Sequence, residues 1–309
     1  MTVVDALRGE LLEMRAEDLR VRTELERIGR LSRGYDPEME AIHRRNAARL
    51  RDIIAEHGWP GRASVGDEGA AAAWLVAQHA IGEPDFQRRV LPLLEQAARR
   101  GDIPIWQPAY LIDRIRMFEG WPQVYGTQMA PDANGEMVVW PIADLASLDD
   151  RRRGIGLPAF EHRRVEPSAS QQQPADGRTT RGEMDAWARR TGWRPRILHV
   201  ATDAAWARAI RDGSYTADTL SSEGFIHCSD PQQVIGVANA RFHGREDLIL
   251  LHIAASKLFA EGRYENLEGG KELFPHIYGP INLDAVVRAT PFPPRPDGSF
   301  DHDQLAAMY

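Results

Sequence analysis

Residues 223–234 read EGFIHCSDPQQV, and this stretch decides how the second half of the chain is interpreted. Phe225 and Ile226, followed by His227, Cys228 and Ser229, predict a short strand after Gly224. Side chains on a strand alternate between two faces, so a polar residue in an apolar run either meets solvent or lines a pocket. We therefore interpret His227 and Ser229 as candidates for a pocket.

The sequence around this stretch predicts an α+β domain over residues 191–309. A helix is expected at 204–212, where apolar spacing is helical and Gly213 follows. Further short apolar segments are typical of strands, at 197–201, 248–253, 262–265, 276–278 and 285–289. Because strand and helix do not alternate to the end, the order favours α+β with a mixed sheet over a doubly wound sheet.

The first half predicts a different architecture, a mainly α domain over residues 1–165. Apolar residues recur at helical spacing in successive segments, broken by glycine and proline, at 3–28, 38–57, 69–81, 86–100 and 106–119. Residues 168–182 are polar and lack large apolar side chains, which is typical of a flexible connection. We therefore predict a linker at 166–190 and a protein of two domains.

Composition limits the classes of function. With 38 Lys plus Arg against 45 Asp plus Glu, the net charge of −7 opposes broad contact with a phosphate backbone. The arginines at 151–153 and 163–164 still leave local contact with RNA open. Cys228 is the single cysteine, and no closely spaced histidine motif occurs, so no metal is expected. No apolar run spans a bilayer and no secretory signal is apparent, which predicts a cytoplasmic protein without a membrane partner.

Polar residues on the predicted strands of the second half form the first candidate site. A lone histidine on a strand is usually structural, but several together favour a pocket. The set comprises His199, His227, Ser229, Glu265, His276 and Tyr278.

These segments carry a resemblance. EGFIHCSDPQQV, DLILLHI at 247–253 and FPHIYGPI at 274–281 resemble a bacterial family of unknown function that is grouped with the ADP-ribosyltransferase-like superfamily. The resemblance implies an NAD-binding cleft. In that superfamily a first-strand residue contacts a ribose of NAD, a second-strand residue borders the nicotinamide ribose, and a late-strand glutamate polarises it.

Carried over to this chain, the resemblance implies that His199, Ser229 and Tyr278 bind the cofactor. His227 and His276 become candidates for acid–base catalysis, because imidazole titrates near neutral pH. The late-strand position falls near His276, and a histidine stabilises a developing positive charge less well than a carboxylate. Glu265 replaces the carboxylate if its strand approaches the same pocket.

The first half has its own motifs. Gly58-Trp59-Pro60, Gln78-His79, Asp113-Arg114 and the run YGTQ at 125–128 resemble a second bacterial family of unknown function, which implies no mechanism. Gln78 and His79 lie in an otherwise apolar helix and need polar partners. The predicted partners are Asp113, Arg114 and Gln128. Together with Gln78 and His79 they form either a structural hydrogen-bond network or a second site.

Three hypotheses for function follow. The first is a transferase or hydrolase that binds NAD or an ADP-ribose-like nucleotide in the second domain, with RNA or a protein as a conceivable acceptor. The second is a binding module of two domains without catalysis. The third is an enzyme whose active site lies around His79 in the helical domain.

Overall fold

The chain folds into two compact units, seen here in a computed structural model. Unit 1 comprises residues 1–118 and 122–193, and unit 2 comprises residues 119–121 and 194–309. The residues described are 3–31, 34–132, 134–160, 179–193, 195–267, 269, 272–301 and 304–305. The predicted pairing of a helical first domain with an α+β second domain is confirmed.

Unit 1 begins with helices that pack around one apolar core. They are α1 (Val3–Arg27), α2 (Pro37–His57), α3 (Arg62–His79), α4 (Pro84–Arg99) and α5 (Trp106–Phe118). Asp36 caps α2 by accepting the Glu38 amide, and Pro37 suits the first turn. In α3, buried alanines such as Ala72, Ala73 and Ala77 let neighbouring helices approach closely, while Gly66 interrupts its first turn with φ of 73°.

After α5, unit 1 continues with a hairpin and two further helices. Strands β1 (Met129–Pro131) and β2 (Met137–Val139) pair antiparallel around the turn at Asn134-Gly135. Helices α6 (Leu148–Gly154) and α7 (Arg181–Thr191) follow. No helix in the described part of the chain is both long and apolar enough to cross a membrane.

The predicted linker at 166–190 needs correction at its carboxyl end. Residues 161–178 lie outside the described residues, but α7 is a regular helix assigned to unit 1. Thr180 and Glu183 form a reciprocal capping box at its start. Trp187 and Ala188 pack into the unit 1 core. The polar composition that indicates a linker runs to Gly182 in the first turn of this helix, and the apolar residues further along the helix mark folded structure.

Unit 2 has an α+β fold built on short sheets. Its strands are β3 (Arg196–Thr202), β4 (Ser214–Tyr215), β5 (Ile226–His227), β6 (Leu248–Ala254), β7 (Gly262–Glu265), β8 (Phe274–Ile277), β9 (Ile281–Asn282) and β10 (Val286–Pro291). Its helices are α8 (Asp203–Asp212), α9 (Asp218–Ser222) and α10 (Val234–Arg241). The predicted strands at 197–201 and 262–265 fall on β3 and β7.

The strands of unit 2 are arranged as β10-β6-β3, β5-β8-β7 and the small pair β4-β9. A bridge between Leu198 and Ser229 joins β3 to the segment after β5. Every pairing among the described strands of this unit is antiparallel, which differs from the expected mixed sheet. Element order alone cannot show strand direction, because a helix between two strands does not require them to be parallel neighbours.

Candidate functional site

The sheet β5-β8-β7 brings most of the predicted unit 2 site together. His227 pairs with His276 across β5 and β8, and Arg263 pairs with His276 across β7 and β8. Paired residues point to the same face of a sheet, and so do residues two positions away. The opposite face carries Ile226 and Ile277, which are buried in the unit 2 core.

We call the polar face the strand cluster. Its members are Phe225, His227, Arg263, Glu265, His276 and Tyr278. The His227 and His276 rings meet edge to face with centroids 5.2 Å apart, and the Phe225 ring lies 4.5 Å from that of His276. A Glu265 carboxylate oxygen lies 3.7 Å from His276 Nδ1 and accepts a 2.7 Å hydrogen bond from the Tyr278 hydroxyl. Glu265 therefore lies on the same face of the sheet as His276, next to its ring.

Burial differs across the strand cluster. The His276 side chain is 3% exposed, whereas His227 and Glu265 are 35% and 29% exposed. His227 Nε2 also lies 2.9 Å from a Glu223 carboxylate oxygen. His227 and Glu265 are therefore the accessible side chains of the three, and His276 is the buried one. The hydrogen bond to Glu265 raises the pKa of Tyr278, because ionised tyrosine cannot donate it.

His199 lies beside the strand cluster with both ring nitrogens engaged. Its Nδ1 donates to the His227 carbonyl at 2.6 Å, since a carbonyl can only accept. Its Nε2 then accepts from the Tyr215 hydroxyl at 2.7 Å. Burial lowers the pKa of His199 to about 4, so the ring is neutral at pH 7. A direct ligand contact by His199 would require one of these bonds to break.

Ser229 and Cys228 have structural roles next to the strand cluster. Ser229 is buried, and its backbone exchanges two 2.8 Å hydrogen bonds with Leu198. Cys228 is buried in the core of unit 2, where desolvation raises the pKa of its thiol. A buried thiol held protonated is a poor nucleophile.

In unit 1, the second-site candidates divide into two groups. Asp113 is buried on α5, and its carboxylate accepts the backbone amides of Val124, Tyr125 and Thr127 together with the Thr127 hydroxyl. Burial raises the pKa of Asp113 although these donors oppose the rise. Asp113 therefore fixes the chain after α5 and does not contact His79.

Arg114 and Gln128 form a second hydrogen-bonded pair. Arg114 donates to the Gln128 side-chain oxygen at 3.1 Å and to the backbone carbonyl of Gln78 at 2.6 Å. Desolvation lowers the pKa of Arg114 to about 10. The Gln78 amide is buried and has no hydrogen-bond partner among the described residues. Arg114, one of the predicted partners, thus contacts the backbone of Gln78 and not its side chain.

His79 instead lies against residues of two other helices. Its Nδ1 is 2.9 and 3.0 Å from the two Asp18 carboxylate oxygens. Asp18 Oδ2 is also 3.0 Å from Nε2 of His43, whose Nδ1 lies 2.7 Å from the Tyr35 hydroxyl. We call Asp18, His43 and His79 the helix cluster. The partners of His79 therefore come from α1 and α2. They are not Asp113, Arg114 or Gln128, so the predicted partners of His79 were wrong.

Sequence reasoning missed His43 and Tyr35. A signal existed, because α2 buries Met39, Ile42 and Leu50 on one face and His43 lies on that same face. A polar side chain on an apolar helical face needs a partner. The sequence of α1 held a similar signal, because Asp18 is a carboxylate within a stripe of apolar residues on that helix.

A cavity of about 510 Å³ lies elsewhere in unit 1. Its wall includes Arg15, Leu19, Trp74 and Trp106, and the two indole rings meet edge to face 5.0 Å apart. No member of the helix cluster lines it. The helix cluster is thus separate from this cavity.

Fold and site together define a two-domain protein in which a helical domain precedes an α+β domain. A model described as "Family of unknown function (DUF6624)" matches residues 5–168, more than half of the chain. The chain therefore belongs to this family. A second model, "Protein of unknown function (DUF952)", matches residues 200–289.

Solved structures of CC0527 from Caulobacter crescentus are similar to part of the chain. The crystal structure is 28% identical, covers 36% of this chain and 98% of its own, and has a TM-score of 0.34. The solution NMR structure is 28% identical, covers 37% and 98%, and has a TM-score of 0.33. No curated protein matches the chain.

Proposed function

We propose that unit 2 binds a nucleotide of the NAD or ADP-ribose class and acts on its ribose or phosphate. The observation that carries this proposal is the strand cluster, where two imidazoles and a carboxylate share one face of a sheet. His276 Nδ1 and the Glu265 carboxylate are 3.7 Å apart, and the His227 ring lies next to that of His276. The resemblance to the ADP-ribosyltransferase-like superfamily supports the same class of ligand.

The chemistry of the cluster suits a glycosidic bond. Cleavage of the bond between a ribose carbon and a leaving base develops positive charge on the sugar, which a nearby carboxylate stabilises. Glu265 supplies that carboxylate and the Tyr278 hydroxyl fixes its orientation. His227 and His276 are able to take a proton from an attacking hydroxyl or water.

Two further contacts support recognition of a nucleotide. The guanidinium of Arg263 lies 4.4 Å from the centre of the Tyr278 ring and is held by Glu261 at 2.7 and 2.8 Å. An arginine is suited to a phosphate because its donors match two oxygens at once. In this proposal a phosphate of the nucleotide takes the place of Glu261 beside the Arg263 guanidinium. His199 fixes the backbone at His227.

Calorimetric titration of the full chain with NAD and with ADP-ribose tests binding. We expect saturable heat with wild type, and a loss of affinity of about tenfold or more for His276→Ala and Glu265→Gln, since each removes a group facing the ligand. His243→Ala is the matched control, because His243 is an exposed histidine of the same unit outside the cluster. Absence of heat at millimolar ligand, or equal affinity in all variants, would reject the proposal.

Release of nicotinamide from NAD separates catalysis from binding alone. Hydrolysis would break the bond between ribose C1′ and nicotinamide and attach a water oxygen at C1′. We expect release by wild type and none by Glu265→Gln. Binding without release by wild type would favour the binding module that lacks catalysis.

A further inference from the structure

The helix cluster collects three metal-ligating side chains from three helices. Asp18 lies on α1, His43 on α2 and His79 at the end of α3, far apart in sequence. One ligand atom from each lies within 4.8 Å of the others. Asp18 is 1% exposed, and the His43 and His79 side chains are 8% and 20% exposed. The group is thus interior, with His79 on its open side.

The His43 ring shows how the cluster is oriented. His43 Nε2 is buried and lies 3.0 Å from Asp18 Oδ2, yet its direction makes no hydrogen bond with the carboxylate. His43 Nδ1 lies 2.7 Å from the Tyr35 hydroxyl. With the ring hydrogen on Nδ1 and donated to Tyr35, Nε2 presents a lone pair beside the carboxylate and not along the line to Oδ2. A cation bound by that lone pair and by Oδ2 would stabilise two electron donors that lie 3.0 Å apart.

The distances also match coordination. Imidazole nitrogen and carboxylate oxygen bind transition metals at about 2.0 to 2.2 Å, which places adjacent donors about 3 Å apart. The contacts of Asp18 with His43 and His79 are 2.9 to 3.0 Å.

We infer that Asp18, His43 and His79 form a binding site for a divalent first-row transition-metal ion. Two imidazoles and one carboxylate favour such an ion over calcium or magnesium, which prefer oxygen. Three protein ligands leave a coordination position for water or a substrate, as in catalytic metal sites. Tyr35 is a positioning residue, because it holds His43 through the ring nitrogen that does not face the ion.

Titration of the metal-free full chain with Co²⁺ tests the site, because coordinated Co²⁺ absorbs visible light. We expect absorption that saturates at one ion per chain and is reversed by Zn²⁺. His43→Ala and His79→Ala should each weaken binding by about tenfold or more, since each removes one of three ligands. His57→Ala is the matched control, because His57 lies on α2 like His43 but is 44% exposed.

The outcomes are distinct. Absence of saturable absorption with folded wild type at millimolar Co²⁺ overturns the inference, and so does unchanged affinity in His43→Ala and His79→Ala. Circular dichroism checks that these variants fold, and His79→Gln is the replacement if His79→Ala does not. NAD binding by unit 2 is measured separately, so failure of either proposal leaves the other standing.

Discussion

The helix cluster and the strand cluster share a set of chemical groups in different arrangements. Each has two imidazoles and one carboxylate; Tyr35 adds a hydroxyl beside the helix cluster, and the strand cluster includes Tyr278 together with Phe225 and Arg263. In the helix cluster the tyrosine contacts a histidine and the carboxylate lies between two ring nitrogens. In the strand cluster the tyrosine donates to the carboxylate and the rings meet edge to face. The first arrangement gathers three side chains from three helices, whereas the second presents separate groups along a face of a sheet.

The comparison teaches how the scaffold selects chemistry. Helices from different parts of the chain let side chains converge from several directions, which suits coordination. A sheet holds side chains roughly parallel and about 5 Å apart, which suits contact with an extended ligand. Substitutions in the two units test this difference between helices and sheet.

The largest expected effect comes from Asp113, a unit 1 carboxylate outside the helix cluster. Asp113→Ala leaves the buried amide of Thr127 and the part-buried amides of Val124 and Tyr125 without their acceptor, which should cost roughly 3 to 5 kcal/mol of unfolding free energy. Urea denaturation followed by tryptophan fluorescence measures it. Asp67→Ala, at an exposed carboxylate of the same unit, should change stability little. Equal effects of the two substitutions would contradict the structural assignment of Asp113.

The next effect concerns His199 and pH. Its folded pKa of about 4 lies below the ordinary 6.5, so the unfolded chain binds more protons between these values. Stability is therefore complete above pH 6.5 and falls as the pH drops to about 4, by about 3 kcal/mol from this residue. Urea denaturation at several pH values should show a flatter dependence for His199→Gln, while His243→Gln follows wild type. Parallel curves for wild type and His199→Gln would mean that this ring is not held neutral.

Tyr35→Phe sharpens the contrast in how each tyrosine is used. Removing the hydroxyl frees His43 Nδ1, and loss of such a partner weakens metal binding by about tenfold. Competition between a metal indicator dye and the full chain for Co²⁺ measures the change. Tyr110→Phe alters a tyrosine of unit 1 that lies among Trp74 and Trp106 and should leave affinity unchanged. A Tyr35→Phe affinity equal to wild type would assign Tyr35 no part in orienting His43.

The smallest effect tests whether α7 belongs to the folded part of unit 1. Thr180→Ala removes the side chain that caps α7 and should lower stability by about 1 kcal/mol. Calorimetric unfolding of the full chain measures it. Thr23→Ala removes a hydroxyl that bonds only within α1 and should change stability by less than about 0.5 kcal/mol. No difference between the two would favour the linker predicted over 166–190.

Local sequence determined much of this protein. Apolar spacing and glycine or proline breaks predicted the helices of unit 1, and alternation with short apolar runs predicted strands such as β3 and β7, because these patterns report which face is buried. Four members of the strand cluster, His227, Glu265, His276 and Tyr278, were also named from the sequence, because they lie in short polar motifs on predicted strands, whereas Phe225 and Arg263 were not. The hydrogen bonding of His199, with both nitrogens engaged, was not visible.

Tertiary structure alone decided the partners of His79. Asp18 and His43 lie 61 and 36 positions away in sequence, and spacing motifs detect only ligands that share a local element. The packing of α1, α2 and α3 sets which faces meet, and that depends on the fit of side chains along the whole helices. The sequence therefore determined which residues are buried and polar, and the fold decided which of them meet.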